Sequence, residues 1–393
     1  MQRSDFTKDA PGQLVPIGGT LAFVPNPLPP ALSWDDETLG IVSTAERALG
    51  QLAAIGNWLP NPHLLIRPFL RREAVLSSRI EGTQASISDL VLFEVDPEIE
   101  QRVPDVREVQ NYIQALDYGM ERVQTLPLSL RLIRELHAKL MAGVRGADRF
   151  PSEFRTTQVW IGSPGCPIEQ ATHVPPPPDS SMHTALDALE QYLHTSSALP
   201  PVVRLALIHY QFEAIHPFTD GNGRIGRLLI TLMLCLERVL PQPLLYLSAY
   251  FDRHRQAYYD HLRDVSRRGE WMAWVRFFAR GVAQEAMDAV GRARRLFDLR
   301  QEYIEAVRTA RASALLTKLI ENLFDRPAVS IAMVRQWLGV TAATAQKHVD
   351  RLVQAGILEE VTGRQRYRYY LAKGIVQAID EPSSDSSAGE PAT

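Results

Sequence analysis

Two apolar helical stretches, VVRLALIHYQFEAI at 202–215 and RIGRLLITLMLCLERV at 224–239, are separated by only eight residues, HPFTDGNG. A helix that is apolar around most of its circumference must be buried on all sides, so this pair belongs at the centre of a helical fold and the eight-residue break is held inside it. The richest apolar run, 228–240, is interrupted by Glu237 and Arg238 and reads as a core helix rather than a membrane span. The first twenty residues lack a basic segment followed by an apolar one, so the expected location is cytoplasmic, without membrane attachment. A chain of 393 residues exceeds one comfortable core, and two or three domains sharing helical surfaces are expected. Net charge of −3 predicts no global attraction to nucleic acid, so any such contact needs a local patch. Cys166 and Cys235 have neither disulfide-framework nor zinc-ligand spacing, which fits a reducing compartment.

Along the chain, residues 1–34 are rich in Pro and Gly and read as an arm wrapped over a surface, with FVPNPLPP too proline-dense for a helix or central strand. Helices follow over 36–95, including RPFLRREAVLSSRIEG, in which Phe69, Leu76 and Ile80 repeat at i, i+7 and i+11 and Gly82 stops the helix. Further helices are expected after Asp105, over 128–146, and from about 180 to 305. Between them QVWIGSPGCPIEQATHV suggests a small hairpin about its SPG turn. Residues 308–373 carry 11 Lys or Arg against 5 Asp or Glu, a balance of +6 that leaves −9 for the rest. Their order, helix, two short helices, then two strands joined through Gly363, reads as a winged helix-turn-helix, with Thr341 as N-cap and Gly356 as stop of the second short helix. The expected division is 1–100 for the arm and first helices, 101–300 for the core, 301–378 for the winged helix, and 379–393 for a polar disordered tail.

The break carries the chemistry. Gly221, Asn222 and Gly223 tolerate positive φ and can turn successive N–H groups toward one point, an anion nest that the following helix N-terminus reinforces. Arg224 and Arg227 project from that helix's first turns, so the loop suits a polyphosphate. Asp220 beside it would be repelled by phosphate unless a divalent cation such as Mg²⁺ lay between, which makes it the candidate metal ligand. His216, pushed out of the helix by Pro217, offers a neutral imidazole with a reference pKa of about 6.5 that can take a proton from a hydroxyl. Phe218 is the expected anchor of the loop.

HPFTDGNGRIGR resembles the Fic family signature H-x-F-x-D/E-G-N-G-R-x-x-R at every defined position, and the likeness extends over about 20–290, including LHAKLMAGVRG, EFRTTQVWIGSPG and LSAYFDRHRQAYYDHL. The resemblance implies a mainly α fold and a protein adenylyltransferase that moves AMP from ATP to a Ser, Thr or Tyr hydroxyl of a target protein, or of itself. It implies His216 as base and Asp220 as Mg²⁺ ligand, with Gly221, Asn222, Gly223, Arg224 and Arg227 as the ATP phosphate site. Val159, Trp160 and Ile161 are similar to the family's flap, which docks the target by strand addition; from the residues alone a plain hairpin fits as well. SSRIEG at 77–82 resembles the inhibitory pattern S/T-x-x-x-E-G/N of the class with an N-terminal inhibitory helix. Ser77 and Glu81 share one helix face and precede Gly82. The resemblance implies that Glu81 pairs with Arg227 and excludes or misaligns ATP.

Other readings stay open. The motif contacts phosphates rather than a base, so UMP transfer or AMP removal fits it equally. Thr344, Lys347 and Arg351 share a helix face and Arg364, Arg366 and Arg368 alternate on the wing, a set suited to DNA phosphates, although winged helices also dock proteins. Self-association is compatible with the sequence. His137 and His209 are expected as satisfied core residues, and Tyr250, Tyr258 and Tyr259 receive no role.

Overall fold

The computed structural model describes residues 1–58, 63–144, 152–308 and 314–381. The fold is mainly helical. It opens with a two-stranded antiparallel ribbon, β1 (Gly12–Ile17) and β2 (Thr20–Pro25), closed by Gly18 and Gly19 at φ of 49° and 83°. Positive φ at both turn positions matches the twist that a two-residue hairpin needs. The arm expected over a surface is thus in part a ribbon, with Phe23, Val24 and Pro25 in β2. In a two-stranded ribbon every strand is an edge, where proline is tolerated. The ribbon's Phe23 donates its N–H to Val174 O (2.8 Å) and packs with Ala22, Ala171 and Val174 in a satellite core.

The helical body begins with α1 (Asp36–Trp58), α2 (His63–Ile80) and α3 (Ile87–Phe93), the last opened by a Ser86/Asp89 capping box. It continues with α4 (Val106–Arg122), α5 (Leu130–Leu140), α6 (Ser180–His194), α7 (Pro201–Ile215) and α8 (Asn222–Leu236). Then come α9 (Ser248–Arg253), α10 (Arg255–Arg268) and the 36-residue α11 (Trp271–Ala306). As the apolar runs require, α7 and α8 are buried along nearly their whole length and pack on each other. Gly119 lets α4 approach closely, because a Cβ there would press to 3.0 Å on both Leu136 of α5 and Leu232 of α8.

The C-terminal part comprises α12 (Ala314–Asp325), β3 (Ala328–Ser330), α13 (Ile331–Leu338), α14 (Ala342–Gln354), β4 (Glu359–Glu360), β5 (Tyr369–Leu371) and α15 (Lys373–Asp380). Its antiparallel sheet has the order β3-β5-β4, and Thr341 caps α14 as expected. The winged helix does not stand apart. Helices α12 and α15 both pack on α2, and the apolar core is continuous from Val42 to Ile379. Helix α15 runs to Asp380, past the expected start of the tail at 379, because Ile379 joins Ile375 and Val376 on the face buried in that core. Residues 382–393, read from sequence as a tail, lie outside the described residues. No helix among the described residues is long and apolar enough to cross a membrane.

Candidate active site

The α7–α8 break forms one compact loop. His216 ends α7 in the left-handed region at φ 51°, and Pro217 cannot prolong the helix. Phe218 is fully buried, stacked on His137 of α5 with ring centroids 3.8 Å apart, and close to Phe154. Asn222 fastens the loop in both directions: its Oδ1 accepts from Phe218 N–H (2.9 Å) and its Nδ2 donates to Phe218 O (2.8 Å). Its side chain therefore shapes the nest and does not point from it. His137 is the core residue expected, and it also ties the loop down. Ser152 N–H donates to Nδ1 (3.2 Å), which leaves Nε2 as donor to Asp220 O (3.0 Å). Burial lowers the His137 imidazole to about 4, so this neutral tautomer persists through neutral pH.

Gly221 enters α8 at φ 76°, a conformation for which glycine pays no Cβ penalty. Asp220 Oδ1 accepts from Gly221 N–H (2.6 Å) and lies 3.6 Å from Arg224, with two-fifths of its side chain exposed. Among the described residues no three His, Cys, Asp or Glu side chains cluster for a metal. Asp220 is the acid of this loop that could hold a divalent cation.

The two arginines do not project freely. Arg224 is buried and donates to Glu108 Oε2 of α4 (3.0 Å). Arg227 is buried against the C-terminal turn of α2, donating from Nε to Ser77 Oγ (2.9 Å) and from Nη2 to Ser77 O (2.9 Å) and Glu81 Oε1 (2.7 Å). Glu81 also closes over the nest, because a Cβ on Gly223 would collide with its Oε1 and with Arg227 Nη1. Burial would raise the Glu81 carboxyl, but Arg227, and behind it Arg224 and His216, hold it below its ordinary range. Gly82, at φ 102°, turns the chain away after it. Arg255 of α10 donates to Ile80 O and so clamps the end of α2 from outside.

Beside this cluster His216 is half-buried, and its Nδ1 has no hydrogen-bond partner among the described residues. Burial lowers the imidazole to about 3, assisted by the positive fields of His173 and Arg155 and opposed by Glu81. Val159, Trp160 and Ile161, the candidate flap, lie on a segment whose arms meet antiparallel at one bridge, Ile161 with His173 (Ile161 N–H to His173 O, 2.8 Å). Pro164 and Pro167 and a 3-10 turn at Ile168–Gln170 fill the connection, so no longer ladder forms. Trp160 and Ile161 are exposed on this segment.

The family comparisons fit this geometry. A model described as Fic/DOC family N-terminal matches residues 39–121, which include Ser77 and Glu81, and one described as Fic/DOC family matches 127–234, which include His216 through Arg227. Two stretches of the chain are thus similar to Fic/DOC family domains. A third model, HTH DNA binding domain, matches residues 316–376. Relatives named protein adenylyltransferase Fic, from Drosophila grimshawi and Drosophila virilis, are each 32% identical over 176 residues, 43% of this chain and 32% of theirs. The chain thus spans about a third of the length of those relatives. A Fic family protein from Desulfovibrio desulfuricans G20 shares the fold over 88% of this chain and 98% of its own, with a TM-score of 0.56 and 20% identity.

Several residues of this site escaped the sequence reading. Glu108 neutralises Arg224, and its signal was an acid beside the Val106, Val109, Tyr112 stripe of α4. Glu73, one turn before Ser77, is buried and accepts from Tyr112 Oη (3.1 Å) and Ser248 Oγ (2.5 Å); burial raises its carboxyl to about 7. Glu213 lies against Gly226, its Oε1 buried without a hydrogen-bond partner among the described residues, and burial likewise raises it to about 7. Neither acid had a local signal, since each is explained only by what tertiary packing sets opposite it.

Proposed function

We propose that this protein transfers AMP from ATP to a Ser, Thr or Tyr hydroxyl of a target protein and is held inactive by its own Glu81. The carrying observation is that Glu81 and Ser77 occupy Arg227 directly over the Gly223 nest, with a neutral His216 beside it. An arginine, a helix N-terminus and a glycine turn converge where a polyphosphate fits, and the chain's own Glu81 carboxylate lies there.

In the active form the γ-phosphate takes the place of Glu81 on Arg227, and the remaining phosphates lie on the N–H groups that open α8. An extended target segment pairs with Val159–Ile161 and presents its hydroxyl. The hydroxyl oxygen bonds to the α-phosphorus as the α–β bridging bond breaks; His216 takes the proton and pyrophosphate leaves. Mg²⁺ held by Asp220, when bound, supplies charge neutralisation on the phosphate oxygens. Arg224, balanced by Glu108, adds a positive field that is already oriented.

Incubation with α-labelled ATP, comparing wild type with Glu81→Gly and mapping label by mass spectrometry, tests this reading. Label on a protein hydroxyl, stronger with Glu81→Gly, is expected. Absence of label in both proteins, with AMP, UMP, GMP and CMP donors all tried, would sink it.

Nucleic-acid binding is a second reading, supported by the winged-helix match and by exposed Lys347, Arg366 and Arg368. The patch is smaller than the sequence suggests. Arg351 donates to Val307 O at the end of α11 (2.9 Å), and Arg364 lies 3.5 Å from Glu98 and 3.8 Å from Asp96.

A further inference from the structure

We propose that Arg155 is the positioning residue of the candidate base: one buried guanidinium that fixes the peptide planes around His216 and ties them to the flap. The inference rests on the reading of His216 as a proton acceptor and assigns a role to a residue that the motif does not contain.

The geometry is unusual for an arginine. Arg155 is 3% exposed, and among the described residues no carboxylate pairs with it. Its donors go instead to backbone carbonyls: Nε to His216 O (2.9 Å), Nη2 to Pro176 O (2.6 Å) and Ile215 O (3.4 Å), and Nη1 to Thr157 O (3.4 Å). Its own N–H donates to Pro217 O (2.9 Å). One residue thereby binds three consecutive carbonyls, 215 to 217, on both sides of a histidine held at φ 51° and ψ 60°. That backbone conformation is disfavoured for a side chain with a Cβ and persists only where its surroundings over-determine it. The carbonyls that end α7 lack intrahelical donors and carry the negative end of the helix dipole, which is where a cation is stabilised.

Pro176 and Thr157 lie at the two roots of the flap, so the same guanidinium connects the segment that would present a hydroxyl to the imidazole that would receive its proton. A shift of about 1 Å in such an arrangement costs roughly 100-fold in rate. Arg155 also acts through its charge. Burial lowers it to about 10, so it remains a cation at neutral pH. The charged and titratable groups facing His216 are Arg155 and His173 from the flap and Glu81 from the end of α2. Arg155 is the permanent cation of this set. It disfavours the imidazolium, while Glu81 favours it, so release of Glu81 leaves Arg155 keeping the base unprotonated.

The test uses the full chain in the Glu81→Gly background. Arg155→Met removes the donors and the charge with little loss of volume; Arg155→Lys keeps the charge but not the planar fork. Nitrogen-15 resonances of the histidines, with His216 assigned by comparison with His216→Gln, report the imidazole whether or not transfer occurs. Arg155→Met should raise its titration midpoint by about one unit or more, and Arg155→Lys should leave it low. With α-labelled ATP, both variants should lose ~10- to 100-fold in kcat while ATP affinity stays within about twofold, because the nest is untouched. If Arg155→Met does not fold, the same kcat loss at unchanged ATP affinity in Arg155→Lys carries the test. An unchanged His216 midpoint in folded Arg155→Met overturns the proposal, as does an unchanged kcat in either variant. A parent without any transfer refutes the enzymatic reading instead, and the titration still decides whether Arg155 sets His216.

Discussion

His216, the proposed base, is held neutral, as a proton acceptor must be. Its imidazole is lowered to about 3 by burial, and His173 and Arg155 add to the effect. Transfer should therefore show no acid limb near the ordinary imidazole range of about 6.5, and a profile of kcat against pH from 5 to 8 in the Glu81→Gly protein checks it. His216→Ala should lower transfer by roughly 10² to 10⁴ and leave ATP binding intact, as read by calorimetry; near-wild-type transfer removes the assignment. Stability follows the same chemistry. His137 and His173 near 4 and His209 and His216 near 3 all have folded values below their unfolded ones. The unfolded chain thus binds more protons as pH falls below about 6.5, and the stability present above that pH is lost between there and about 3 to 4. Glu73 and Glu213, raised to about 7, act in the opposite sense between there and their unfolded value of 4.5, so the four rings outweigh two acids and thermal midpoints should fall moderately below pH 6. A midpoint unchanged at pH 5 would show that these rings are not held neutral.

Helix α2 works as an element. Its C-terminal turn brings Ser77 and Glu81 to Arg227, while Glu73 one turn earlier binds Ser248 and Tyr112, and Arg255 clamps Ile80 O. Removing the carboxylate frees the arginine and leaves the rest of the helix seated. If the closed pairing is favoured by about 2 kcal/mol, Glu81→Gly should raise turnover roughly 30-fold. The change costs at most about 1 kcal/mol in helix propensity, at a helix already ending at Gly82. Self-labelling measures the gain, and Glu81→Gly with Arg227→Ala should lose it because the freed arginine produces it. Helix α4 supplies the other half of the charge balance. Glu108→Ala leaves Arg224 buried without its carboxylate partner and should cost about 3–5 kcal/mol, read as a lower denaturant midpoint; an unchanged midpoint would mean that Asp220 or solvent already compensates Arg224.

At the scale of the whole molecule, α2 lies between the α4, α8 and α9 core and helices α12 and α15 of the winged helix. Because one apolar core runs through both parts, calorimetry should record a single unfolding transition rather than two. Leu319 of α12 is fully buried in it. Leu319→Ala should cost about 2–5 kcal/mol and lower that one transition as a whole; a separate low-temperature transition would show that the winged helix unfolds by itself. The chain should also bind duplex DNA with a salt slope that decreases by about one per arginine removed at Arg366 and Arg368. A gel shift insensitive to salt and to these changes would leave the winged helix as a protein-docking surface.

Much of this was legible in the residues. The apolar runs flanking HPFTDGNG made α7 and α8 central, the glycines at 221 and 223 marked the turn, Pro217 ended α7, and Thr341 and Gly356 bounded α14. These are local properties, in which period, φ tolerance and capping act within a few positions. Apart from the Glu81–Arg227 pair, which the family resemblance implied, tertiary structure decided who faces whom. Glu108 is opposite Arg224 across 116 residues and Ser77 opposite Arg227 across 150. The Asn222 side chain turns back onto Phe218, and Arg351 and Arg364, which sequence placed on a nucleic-acid face, are spent on α11 and on Asp96 and Glu98. A buried charge takes its partner from whatever packing brings near, and sequence spacing holds no record of that.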